Sequence, residues 1–183
     1  MLVECTDCRA DSTCDDWVKK DGYCVDYVKS KIATFPVPKD VAEIKLLDNK
    51  VNKDVSEGDV AIFDLGTYWH VAYVEKVHVD QLGNATAIDV SEMNFGDRMS
   101  LDDYSKKWRP KSRSEWKRAI SCGVTKKYGQ TGRRTNIALS SVQQIWSPVV
   151  AASQVGGAGN PNKLLDKFKH AFNHFLLLTG VDL

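Results

Sequence analysis

The chain has no run of apolar residues close to the about eighteen that a bilayer-spanning helix needs, so a transmembrane helix is not expected. Its opening, Met1-Leu2-Val3-Glu4-Cys5, is too polar for a secretory signal; export is expected either without one or after its removal. There is no internal repeat, so solenoids and propellers are not expected. Few aromatic residues lie among the basic ones where they would stack on bases, so nucleic acid is not expected as a partner. A second close Cys-x-x-Cys pair is missing beside Cys5-x-x-Cys8, which disfavours a zinc knot completed by Cys14.

What is present is the composition of a folded protein. Hydrophobic residues make up 43% and charged residues 27% of 183, enough for one domain with a full core and a tail. The formal charge of +1 hides an asymmetry. Residues 1–105 carry 11 Lys/Arg against 21 Asp/Glu, whereas residues 106–134 carry 11 Lys/Arg against one acid. The basic block is expected to be a solvated loop that neutralises the acidic half of the fold; an anionic wall polymer or membrane surface is the alternative partner. Four cysteines besides Cys24 (Cys5, Cys8, Cys14 and Cys122) allow three disulfide pairings. Three of them crowd into an acidic N-terminal loop over residues 1–15, which suggests an oxidising compartment: extracellular, periplasmic or the cell wall.

Asp16 is placed to cap a short helix through Trp17-Val18-Lys19-Lys20. Val25, Val28 and Ile32 recur at helical spacing behind Cys24, in a helix that must end before Pro36. Another short helix is expected over residues 40–48. Strands are expected at Val60–Phe63, at the β-branched and aromatic run Trp69–Val79, and from Ala85 to Met93, with a hairpin at Gln81-Leu82-Gly83-Asn84. A last strand is expected at Asn136–Leu139. Helices first and antiparallel strands afterwards define an α+β fold, N-terminal helices on a central antiparallel sheet. The main domain spans residues 16–148, with residues 98–134 a basic insertion, loop with short structured pieces. Residues 149–162 read as a flexible linker, and 163–179 as an amphipathic tail helix with Leu164, Leu165, Phe168, Phe172 and Phe175 along one stripe.

The chemistry converges on Cys24. A thiol at a helix start sits among unpaired backbone N–H groups and the positive end of the helix dipole, and both favour thiolate. A thiolate nucleophile needs a proton-shuttling imidazole and a group to orient it. Of four histidines, His70 is best placed, at the start of a strand just past a turn. Glu92 and Asn94, two apart on the neighbouring strand, should share a face, one to orient His70 and the other to help. Tyr23, Tyr68, Trp69 and Phe95 are candidates to line a substrate groove, or simply to pack.

The order of these segments resembles the CHAP family, the cysteine, histidine-dependent amidohydrolases/peptidases. Gly22-Tyr23-Cys24-Val25-Asp26-Tyr27-Val28 is similar to the family's nucleophile segment and Glu57-Gly58-Asp59-Val60-Ala61 to its turn and strand entry. Trp69-His70-Val71-Ala72-Tyr73-Val74-Glu75 is similar to its histidine strand, and Ser91-Glu92-Met93-Asn94-Phe95 to its acid/amide strand. Leu139–Gln143 with Trp146-Ser147-Pro148 resembles its closing segment. Trp69 stands where the family commonly has glycine, and the insertion over 98–134 is longer and more basic than the family's pattern. The resemblance implies a papain-like fold and hydrolysis of an amide bond in bacterial peptidoglycan, by an N-acetylmuramoyl-L-alanine amidase or an endopeptidase of stem or bridge. It implies Cys24 as nucleophile, His70 as acid/base, Glu92 as its orienter and Asn94 as helper. No cofactor is implied, apart from the calcium that some phage members bind, for which Asp15, Asp21 and Asp26 are the candidate ligands. The alternatives are a non-catalytic wall- or polyanion-binding module using residues 106–134 and 163–179, or a cysteine amidase acting on a small peptide conjugate.

Overall fold

The computed structural model describes residues 14–66, 68–108 and 112–150. The chain divides into two units, residues 1–148 and 149–183. Cys5, Cys8 and the tail helix expected over 163–179 lie outside the described residues, as does nearly all of the linker expected over 149–162.

Three short helices come first: α1 (Asp15–Val18), α2 (Cys24–Lys31) and α3 (Val41–Lys45). Strands β1 (Val60–Asp64), β2 (Trp69–Val79) and β3 (Ala85–Met93) follow. Helices α4 (Leu101–Lys107) and α5 (Arg113–Ser121) then precede β4 (Thr131–Ala138) and β5 (Gln144–Trp146). The strands form one antiparallel sheet in the order β4-β3-β2-β1-β5. The fold is therefore α+β, with the long β2–β3 hairpin at its centre. One face of the sheet carries the apolar cluster of Ala61, Phe63, Ala72, Val74, Ile88, Val90, Val142 and Ile145. Each fully buried Val or Ile there contributes about 1.5–3 kcal/mol, which makes this layer the main source of rigidity beneath His70.

Helix α2 begins where its sequence says it should. Asp26 at its third position accepts a hydrogen bond from the Tyr23 backbone N–H at 3.0 Å and sits at the positive end of the dipole. Val25 and Val28 are buried, and the helix packs against β2 and β3. Helix α1 starts two residues earlier than expected, behind Cys14; Asp16 lies in its first turn and caps nothing.

The basic block keeps its described lysines and arginines exposed, apart from the half-buried Arg134, and its short structured pieces are α5, which lies wholly within it, and the ends of α4 and β4, which overlap it. Both helices open on capping boxes, Ser100 with Asp103 and Ser112 with Glu115. Their inner residues Tyr104, Ala119 and Ile120 are buried. Cys122, at the end of α5, is joined to Cys14 by a disulfide that spans 108 residues of sequence, with Cα atoms 5.6 Å apart. Trp17 sits in an aromatic cluster with Tyr104, Trp108 and Tyr128, and the Tyr128 hydroxyl donates to its carbonyl. The insertion thereby walls in the N-terminal end of α2.

Candidate active site

Three elements converge on one point. Cys24 is the first residue of α2, His70 the second of β2, and Glu92 the eighth of β3. Cys24 is 5% exposed, His70 2% and Glu92 2%, so the three interact in a medium far less polarisable than water. Cys24 is the one free cysteine among the described residues. The His70 ring and the backbone N–H groups of Val71 and Val25 are the groups that favour the charged form of its sulfur. The His70 Nε2 lies 2.9 Å from Glu92 Oε2, which leaves Nδ1 for the sulfur.

The electrostatics favour a thiolate–imidazolium pair. Burial works against the Cys24 thiolate, but the His70 charge, its hydrogen bond and the two backbone N–H groups outweigh it and lower the thiol from its usual 9.0. Burial likewise opposes charge on His70, and the Cys24 and Glu92 negative charges with their hydrogen bonds override it, raising His70 to about 9. Burial pushes Glu92 up, yet its bonds to His70 and Arg134 hold it below the ordinary carboxylate value.

Arg134 was not legible as a site residue. It reaches from β4 to grip Glu92 with two hydrogen bonds, Nε to Oε1 at 2.6 Å and Nη2 to Oε2 at 2.8 Å. Its guanidinium lies 3.8 Å from the centre of the Phe95 ring and 4.8 Å from that of Phe63. The chain of contacts Cys24–His70–Glu92–Arg134 therefore fixes the imidazole from behind. The alternation of β-forming residues along Thr131–Ile137 was the one signal that could have placed Arg134 on a strand.

Asn94 does not help orient His70. It lies beyond the last residue of β3 with φ at +62°, so the two-residue alternation that would align it with Glu92 is broken. Its side chain instead donates to the Gly123 carbonyl at 2.9 Å and accepts from the Thr125 backbone N–H at 3.1 Å, tying the loop after α5 to the end of β3. Tyr23 does not line a groove either. It is 2% exposed, its hydroxyl donates to the Cys122 carbonyl at 2.7 Å, and its ring packs edge-on against Tyr128. Trp69 is buried, whereas Tyr68 and Phe95 are half-buried and Phe95 packs 5.1 Å from the His70 ring centre. Asp15, Asp21 and Asp26 are not brought together as a calcium-binding group; Asp26 is spent on the Tyr23 N–H, and no cluster of three metal-ligating side chains occurs among the described residues.

The Tyr128 ring explains Gly22, the glycine two residues before Cys24. A Cβ there would fall 2.3 Å from the Tyr128 ring, so only glycine lets that ring pack over the approach to α2.

Comparison with protein-family models, curated proteins and solved structures finds no match to this chain.

Proposed function

We propose that the protein is a cysteine amidohydrolase of the CHAP type, with a papain-like arrangement of helix and sheet, that cuts an amide bond in bacterial peptidoglycan. The observation that carries this reading is the charged pair of Cys24 and His70 at the N-terminus of α2, backed by a Glu92 carboxylate at 2.9 Å. Such an arrangement has a chemistry of its own. The Cys24 thiolate attacks the amide carbonyl carbon, and backbone N–H groups at the start of α2 stabilise the oxyanion. The proton already on His70 passes to the amine nitrogen as the C–N bond breaks. The thioester left on Cys24 is attacked by water, from which His70 takes a proton, and the carboxylic acid departs as the thiolate returns. Glu92 keeps the imidazole in the tautomer and orientation that both steps need.

Two further features support a wall substrate: the resemblance of the four ordered segments to CHAP domains, and the Cys14–Cys122 disulfide, which suits an oxidising space outside the cytosol. The test is clearing of a purified peptidoglycan suspension, with mass spectrometry of the digest to name the bond. Wild-type protein should release fragments bearing one new amine each. Cys24→Ala should reduce release at least about 10³-fold while leaving the circular dichroism spectrum intact. Equal clearing by the two proteins would remove Cys24 from the chemistry.

A further inference from the structure

Beside Glu92 lies a cleft of about 230 Å³ that the mechanism does not use, lined by Glu92, Phe95, Lys127, Gly132 and Arg134 among others. It exists because one side chain is missing. Gly132 pairs directly with Glu92 across the β3–β4 ladder, so a Cβ there would stand on the same face as Glu92 and Arg134. That Cβ would meet nothing within 4 Å, in a backbone conformation open to any residue. The walls are cationic. The one acid in the lining, Glu92, has both oxygens bound by His70 and Arg134. Arg134 commits two of its five N–H donors to Glu92, which leaves three. Lys127 lies over Gly96, its Cγ 2.8 Å from where a Cβ of that glycine would be, and has no acidic partner among the described residues. Phe95 supplies an apolar floor between the imidazole and the guanidinium.

We propose that this cleft is a specificity subsite for a carboxylate on the peptide being cut, held between Arg134 and Lys127 on the Glu92 side of the imidazole. It rests on the reading of the protein as a peptide-amide hydrolase. A planar guanidinium with spare donors suits the two oxygens of a carboxylate, and the ammonium adds an untethered positive charge. The cleft touches the His70–Glu92 pair only through Glu92, so the carboxylate it holds sits on a part of the peptide lying on the Glu92 side of the imidazole. Peptides whose acids are amidated would lose this anchor.

The test separates binding from turnover. Cys24→Ala protein is titrated calorimetrically with a four-residue wall-stem peptide bearing free carboxylates, and with the same peptide bearing carboxamides. The acid form should bind about tenfold tighter, as one charge-assisted interaction gives. The preference should fall to about twofold or less when Lys127→Ala or Gly132→Val is added, the latter filling the cleft without touching a charge. Equal binding of acid and amide, no binding of either at millimolar concentration, or a preference that survives Gly132→Val would each overturn the subsite. The hydrolytic reading stands or falls separately, on wild-type clearing of peptidoglycan.

Discussion

Removing the Arg134 side chain should loosen the active site from a distance. Arg134 holds Glu92 with bonds of 2.6 and 2.8 Å, and the Glu92 side chain is 3% exposed. Arg134→Ala leaves that buried carboxylate with His70 alone. Breaking a fully buried pair costs about 3–5 kcal/mol. The Arg134 side chain is 27% exposed, so water screens part of the interaction and about 2–3 kcal/mol is the figure to expect. In a unit of this size that lowers Tm by about 6–9 °C. The chemistry should shift as well. Without the guanidinium Glu92 titrates higher, and once protonated it no longer supports the imidazolium. The acid limb of kcat/KM should therefore move to higher pH. Arg134→Lys, which keeps a point charge but not the two-pronged grip, should recover part of both effects. A double-mutant cycle with Glu92→Gln should show that most of the loss belongs to the pair. The reasoning fails if Arg134→Ala melts within about 2 °C of wild type and keeps the same acid limb.

Three other outcomes follow from the same geometry. The active pair needs a thiolate and an imidazolium together, so kcat/KM should be bell-shaped in pH: it falls as pH rises through about 9, where His70 loses its proton, and as pH falls through the lowered value of Cys24; a single limb ending near 6.5 would contradict the pairing. Gly22→Ala should push the Tyr128 ring off the start of α2, costing about 1–3 kcal/mol in thermal denaturation and lowering kcat; a neutral effect would refute the close approach. Cys122→Ser should remove a cross-link that closes a 108-residue segment, worth about 5 kcal/mol in the chain-entropy account, and denaturant titration with and without reductant should show the wild type losing the same amount.

Much of this architecture was legible because local signals agreed. The β-branched run and the turn at Gln81–Asn84 gave both strands of the central hairpin, and the spacing behind Cys24 gave α2. His70 and Glu92 followed from their places on neighbouring strands. The misses have physical causes. Alternation assumes an unbroken strand, and Asn94 leaves β3 in the left-handed region, so its amide turned to Gly123 and Thr125 instead of His70. Charge dominated the reading of residues 106–134 and hid the Ser100/Asp103 and Ser112/Glu115 caps that start α4 and α5. Arg134 was lost within that block. Groove lining and core packing stay open for Tyr23 in the sequence because nothing local reveals that Cys122, 99 residues away, accepts from its hydroxyl.

That last contact links the seating of the Cys24 segment to the state of one disulfide. Tyr23 adjoins the nucleophile and hangs from the carbonyl of a residue anchored by a bond that forms only under oxidising conditions. A chain in which that bond is reduced keeps the residues of the site but loses the tether beside Cys24.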